Sequence, residues 1–124
     1  MKQIRFYQII TAVCCLLLMS CGIDKNLKKG EKFLALGEYY DAADQFKQAY
    51  TKTPSKERAS RGKIALKMAR CYDKINSTPK AIAAYRNAIR YNQASIDDRL
   101  AYARLLLKNG EYKQAEKEFR ILVD

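Results

Sequence analysis

The residues with the most reactive side chains are four cysteines, in a chain of 124 residues that contains no histidine: Cys14, Cys15, Cys21 and Cys71. Without histidine, a zinc site would need several free cysteines, and a thiol nucleophile would lack its usual neighbouring base. As shown below, only Cys71 is expected to stay a free thiol in the mature chain. The adjacent carboxylates Asp97 and Asp98 fit a helix-capping pattern, and the sequence has no glycine-rich phosphate loop. We therefore expect no catalytic activity, no metal site and no cofactor.

The first twenty residues have the order of an export signal. Lys2 and Arg5 form a short positive region, residues 9–19 are an almost unbroken apolar run, and the small Ser20 follows. The run is about eleven residues long, whereas a helix needs roughly 20 apolar residues to cross the hydrocarbon core. This length favours a removable signal peptide, residues 1–20, over a permanent transmembrane segment.

The sequence LMSC at 18–21 resembles the lipobox of bacterial lipoproteins. The resemblance implies cleavage between Ser20 and Cys21, and covalent diacylglycerol and acyl chains on Cys21 within a lipidated N-terminus, residues 21–22. The alternative is an ordinary signal peptide with a chance cysteine near the cleavage site. Gly22 is not the aspartate that signals inner-membrane retention in enterobacterial lipoproteins. We therefore expect attachment to the periplasmic side of the outer membrane rather than to the inner membrane.

The cysteine count changes once the signal peptide is removed. Cys14 and Cys15 leave with it and Cys21 would be acylated, so Cys71 would be the one thiol of the mature chain. No disulfide framework can then form. We expect Cys71 to be a small buried residue, the alternative being a reactive thiol.

The chain beyond residue 21 is patterned as helices throughout, with apolar residues returning every three or four positions. Gly37 and Gly110 fit helix ends that need a positive φ, and residues 78–79, Thr-Pro, fit an N-cap followed by proline. The sequence SIDD at 95–98 adds a capping box before the next helix. These signals predict an all-α chain.

Three segments align without gaps: GEYYDAADQFKQAY at 37–50, NSTPKAIAAYRNAI at 76–89 and GEYKQAEKEFRILV at 110–123. In each, an alanine precedes an aromatic residue by four positions, as in Ala42 and Phe46, Ala81 and Tyr85, and Ala115 and Phe119. Small residues let two helices approach closely, and the aromatic residue one turn later fills the neighbouring gap. The spacing predicts stacked helix pairs.

These residues resemble the tetratricopeptide repeat (TPR), a helix-turn-helix unit that stacks into a solenoid. The resemblance implies about three repeats within a domain at 23–124, at 23–56, 62–95 and an incomplete 96–124. It places Tyr39, Tyr72, Tyr85 and Tyr112 in the core. Five extra residues, ERASR at 57–61, are expected to lengthen the first helix of repeat two and to make a basic projection.

The chain stops inside the last predicted helix, at Asp124. A terminal repeat normally needs a polar cap, and residues 121–123 are apolar. We therefore expect this end to pack against another chain or a downstream module, the second case making the chain the front of a longer protein.

Within the TPR family the first helices of the repeats line a concave surface that binds partners. Transferred to this sequence, the candidate partner-binding residues form a leucine floor with a basic wall: Lys63, Leu66, Arg70, Lys74, Leu100, Arg104, Leu107 and Lys108. Without Lys2 and Arg5 the chain keeps 22 basic against 13 acidic residues, a net charge of +9. An exported chain of this charge meets envelope polyanions and acidic proteins rather than nucleic acid.

The leading hypothesis is a lipid-anchored, non-catalytic adaptor that binds a protein partner in a bacterial envelope assembly. The first two repeats resemble the N-terminal repeat region of lipoproteins that accompany type IX secretion and gliding motility in Bacteroidota. The alternative is a basic envelope protein that binds an anionic polymer or a lipid surface.

Overall fold

A computed structural model describes the backbone of residues 1–124 and the side chains of all residues except 18–20. The chain forms six helices and no strand over this described backbone: α1 Lys2–Ala35, α2 Tyr39–Lys52, α3 Arg58–Lys74, α4 Thr78–Arg90, α5 Ile96–Lys108 and α6 Tyr112–Val123. Consecutive helices pack as the pairs α1/α2, α3/α4 and α5/α6, with α2 against α3 and α4 against α5. The predicted all-α repeat architecture is confirmed.

Short turns with one left-handed residue end four of the helices. Gly37 and Gly110 have φ of 74° and 79°, and Asn76 and Asn92 have φ of 57°. After each of these residues the next backbone N–H returns to the last helical turn, as Glu111 N does to the carbonyl of Leu106 at 2.9 Å. This hydrogen bond satisfies a helix-end carbonyl that would otherwise lack a partner. Asparagine tolerates the left-handed conformation, so Asn76 takes the place that glycine has in the other two repeats.

Helix α4 begins one residue earlier than the Thr-Pro pattern predicts. Ser77 is the N-cap, Thr78 is the first helical residue and Pro79 lies second. The capping box is confirmed at α5, where the Ser95 hydroxyl accepts from Asp98 N and the Asp98 carboxylate accepts from Ser95 N.

The core follows the alanine and aromatic pattern. Ala42, Ala81 and Ala115 are buried, and Phe46 and Tyr85 fill the space between successive helices. Phe119, the equivalent aromatic residue of α6, is only half-buried because no later helix covers it. The first two helix pairs and α5 therefore share one continuous core, which Ala115 of α6 also joins.

The inserted residues lengthen α3 to 17 residues, against 13 in α5, as expected. The expected basic projection is wrong for Arg61. Its guanidinium lies 4.2 Å from the centre of the Tyr50 ring and donates to the carbonyl of Thr53 at 2.8 Å. A guanidinium group can stack on an aromatic ring and still donate hydrogen bonds from the N–H groups at its edge. Arg61 therefore joins α3 to the end of α2.

The predicted core tyrosines divide into two groups. Tyr72 and Tyr85 are buried and Tyr39 packs against the core, which confirms the prediction for these three. The prediction for Tyr112 is wrong, because its side chain is 68% exposed. Tyr112 opens α6, and a tyrosine at this position becomes buried only where a further helix stacks on its pair.

Candidate partner-binding surface

The predicted lipidation site, Cys21, is exposed on α1. Helix α1 is continuous across the predicted cleavage site, so the apolar run and the first repeat helix form one 34-residue rod. By length and composition α1 is the one helix of the described chain that qualifies to cross a membrane, and a signal sequence meets the same criteria. The side chains of Leu18, Met19 and Ser20 in the lipobox lie outside the described residues, and both cleavage and acylation stay predictions.

The first helices of the three helix pairs meet along one side of the molecule, which we call the inner surface. On α3 the positions Lys63, Lys67, Arg70 and Lys74 follow one another by three or four residues and so share one face. Lys67 pairs with Glu31 of α1, and Arg70 pairs with Asp98 of α5. These contacts show that the basic face of α3 lies between α1 and α5.

Arg70, a predicted partner-binding residue, is already in an ion pair within the chain. Its guanidinium donates to both oxygens of the Asp98 carboxylate at 3.0–3.3 Å, although the Arg70 side chain is still 56% exposed. Burial raises the pKa of Asp98, but the hydrogen bonds from Ser95 and Arg70 outweigh this and hold the pKa below its usual value. Arg70 therefore serves first to neutralise a buried carboxylate, which makes it a connector of α3 and α5 more than an unoccupied cation.

Lys67 belongs to the inner surface and was not among the predicted residues. Its ammonium group pairs with Glu31 and lies 5.6 Å from the centre of the Phe46 ring. The signal for it was present, because Lys67 follows the predicted Lys63 by one helical turn. It fell outside the positions transferred from the family.

The remaining basic residues of the predicted wall differ in whether they contact other side chains of the protein. Lys63, Lys74 and Arg104 are exposed, and no ion pair with them is found among the described side chains. Lys108 donates to the side-chain oxygen of Asn76 at 3.3 Å, a contact that water can replace. Lys63, Lys74 and Arg104 are therefore the cations most available to a partner.

The predicted leucine floor is partly core. Leu66 and Leu100 are half-buried, and Leu66 packs against the core cluster. Leu107 is half-exposed but lines a different cleft, together with Tyr112 and Phe119, at the end of the molecule. This terminal cleft has a volume of about 430 Å³. Its lining is apolar because no helix covers the last repeat in the described chain. Leu107 therefore belongs to this terminal cleft more than to the predicted groove.

A second cleft, of about 510 Å³, opens at the N-terminal part of the inner surface. Lys63, one of the predicted partner-binding residues, lines it together with Ile23, Leu27, Ile64 and Lys67. The rim is completed by Pro54 and Glu57 of the connection between α2 and α3, and by Asp24 of α1. Leu16 also lines the cleft, and the predicted cleavage would remove this residue and widen the opening. The cleft combines an apolar base with edges of both charges, since Lys52, Lys63 and Lys67 line it beside Asp24 and Glu57. This composition suits an extended segment that carries apolar and charged side chains.

Cys71 is buried, as predicted, and its burial raises the pKa of the thiol. A thiol held neutral and away from solvent is a poor nucleophile, so Cys71 contributes packing.

No family model matches this sequence, and no curated protein matches it. A search of solved structures finds the TPR domain of Arabidopsis FLU, with a TM-score of 0.70 and 20% sequence identity. The match covers 85% of this chain and 94% of the FLU domain. At this identity the likeness concerns the fold alone. The chain therefore has the fold of a TPR domain.

Proposed function

We propose that this protein is a non-catalytic, lipid-anchored scaffold of the bacterial envelope that holds a protein partner on its inner surface. The observation that carries the proposal is the N-terminal cleft, where an apolar base lies beside the exposed cation Lys63. Lys74 and Arg104 continue the positive charge on α3 and α5. A partner segment with apolar side chains and nearby carboxylates matches this arrangement.

The anchor is Cys21, in an exposed position directly after the apolar part of α1. Two or three acyl chains on one residue hold a protein at a membrane essentially permanently, since each buried methylene contributes about 0.8 kcal/mol. Replacing Cys21 with Ser should abolish labelling with a radioactive fatty acid and stop processing, while the helices keep their circular dichroism. A variant that is still cleaved after Ser20 and stays on the membrane would contradict lipid anchoring.

The partner-binding part is tested by pull-down from detergent-solubilised envelopes. The informative variant reverses Lys63, Lys74 and Arg104 together to Glu, leaving Arg70 in its ion pair with Asp98. We expect it to lose the stoichiometric partner that the natural sequence captures.

A matched control reverses three exposed lysines of α2 and α6, Lys47, Lys113 and Lys117, so that both variants change the net charge equally. Capture that is equally reduced in the two variants would show that overall charge, and not the inner surface, holds the partner. Capture that is unchanged in the inner-surface variant would also remove the proposal.

More specifically, we propose a place in a type IX secretion or gliding assembly on the outer membrane, supported by the likeness of the first two repeats to lipoproteins of that system. Copurification of outer-membrane components of that machinery would support this assignment, and a partner from an unrelated assembly would refute it while leaving the scaffold role intact.

A second candidate function, binding to an anionic polymer or lipid, is favoured by the net charge of +9 that the chain keeps without Lys2 and Arg5. Salt separates the two functions, because binding to a polyanion weakens steeply as the ionic strength rises. A partner captured equally well at low and high salt favours the peptide groove.

A further inference from the structure

Four lysines form a line on α1 directly after the predicted anchor. Lys25 and Lys29 are four residues apart, as are Lys28 and Lys32, and Lys25 and Lys28 are three residues apart. These spacings place side chains on one side of a helix. All four side chains are exposed. We call this side of α1 the lysine face.

The lysine face is turned away from the helical repeats. The opposite side of α1 carries the buried residues Asn26 and Gly30, together with the half-buried Leu27 and Leu34. The Asn26 amide donates to side chains of α2, to Gln45 at 2.9 Å among others. The exposure of all four lysines shows that no helix of the described part of the chain covers the lysine face.

Cys21 lies on the same side of α1 as the lysine face, because it precedes Lys25 by four residues in a continuous helix. The rise of about 1.5 Å per residue puts Lys32 roughly 16 Å along the axis from Cys21. Leu36 follows Lys32 by four residues and is 63% exposed, so an apolar side chain ends the same line. Acyl chains on Cys21 and the ammonium groups of all four lysines would therefore project from the same side of α1.

Negative charge does not interrupt the lysine face. The carboxylates of this part of α1 are Asp24 and Glu31, and helical geometry turns both toward the flank that faces α3. Glu31 is paired there with Lys67. The lysine face is therefore a strip of positive charge next to a membrane attachment point.

We propose that the lysine face of α1 lies on the phosphate groups of an anionic lipid leaflet, so that α1 runs along the membrane and the repeats point away from it. The inference rests on the membrane anchoring in the proposed function. It adds an orientation: the side of α1 that carries the inner surface stays open to a partner while the lysine face meets the lipid. Lysines close to an anionic leaflet are attracted by its surface potential over about one Debye length.

The test uses the full chain, purified from membranes and reconstituted into vesicles of phosphatidylcholine alone or mixed with phosphatidylglycerol. A membrane-impermeant acylating reagent modifies lysines of outward-facing chains, and mass spectrometry reads each lysine separately. In the anionic vesicles at low salt we expect the four lysines of the lysine face to react roughly fivefold more slowly than in the neutral vesicles. High salt should remove the difference.

Lys56, Lys113 and Lys117 are exposed lysines of other elements and serve as internal controls with unchanged reactivity. The proposal is overturned if the lysine face reacts at the same rate in both kinds of vesicle, or if the control lysines slow by the same factor. Because the natural sequence is labelled, misfolding of a variant does not affect the result.

Inorganic phosphate added to the neutral vesicles distinguishes lipid head groups from free phosphate. We expect no protection from it, and protection equal to that in anionic vesicles would overturn docking on the membrane. Loss of anchoring is seen independently, as protein that does not float with the vesicles, and the test needs no protein partner. Failure of the orientation and failure of the scaffold function are therefore distinguishable.

Discussion

The contact between Gly30 and Phe46 predicts that a single added methyl group will destabilise the fold. A Cβ atom at residue 30 would lie 2.5, 2.8 and 2.9 Å from three atoms of the Phe46 ring. The ring is fully buried between α1, α2 and α3, so it cannot move aside without displacing other core residues. Overpacking of this kind costs about 1–3 kcal/mol, and a contact this short against a buried ring belongs at the upper end.

Gly30→Ala also gains about 1 kcal/mol of helix propensity, because alanine restricts the unfolded chain. The net loss in the free energy of unfolding is then about 2 kcal/mol. For a domain of about a hundred residues this corresponds to a decrease in Tm of roughly 8–16 °C. Thermal unfolding of the full chain in mild detergent, followed by circular dichroism, measures it.

The matched control is Gly22→Ala in the same helix. A Cβ there meets only the Lys52 side chain, at 3.7 Å or more, which is ordinary contact. We expect this control to keep or raise the Tm. Replacing Phe46 with Leu should also cost less in the Gly30→Ala chain than in the natural sequence, because the clashing ring atoms are then absent. Equal Tm values for Gly30→Ala and Gly22→Ala would refute the close packing of α1 on α2.

Three further predictions concern buried and stacked side chains. Asp98→Asn should lower the free energy of unfolding in urea by roughly 1–3 kcal/mol at neutral pH. The pKa of Asp98 is lowered in the folded chain, so the stability that the carboxylate contributes is lost as the pH falls below about 4, and the two chains should become equally stable there. A difference in unfolding free energy that does not change with pH would contradict the role of the carboxylate. Cys71 should resist maleimide until the chain unfolds, and rapid labelling under native conditions would contradict its burial. Arg61→Lys should lose about 1 kcal/mol through the contact with Tyr50, and Arg58→Lys, whose guanidinium lies 5.4 Å from the nearest tyrosine ring, should lose less in the same unfolding assay.

The fold could be predicted from the sequence because its signals are local and repeated. Alanine four residues before an aromatic residue fixes which side of each second helix is buried, and Gly37 and Gly110 fix where two helices stop. The pattern occurs in all three repeats, so one ambiguous position does not change the predicted fold. Helix α4 starts one residue before the predicted position, because serine and threonine are both good N-caps and Ser77 takes this place instead of Thr78.

The candidate site was less predictable, because side-chain pairing depends on helices distant in sequence. Arg70 has the position of a partner-binding cation, but its nearest carboxylate, Asp98, is 28 residues away and is buried by the packing of α5. Tyr112 has the position of a core residue, but its burial depends on a helix that this chain does not place over it. The sequence pattern assigns a residue to a face of its helix. Which side chains that face contacts depends on how the helices pack.

The most direct test of the scaffold function is photocrosslinking from the inner surface. A photoreactive amino acid in place of Arg104, in cells that produce the full chain, should yield a discrete adduct with one envelope protein. The same amino acid in place of Lys117, exposed on α6, should yield none. An adduct from position 117 and none from position 104, or no protein adduct from either, would contradict a scaffold that holds its partner on the surface formed by α1, α3 and α5.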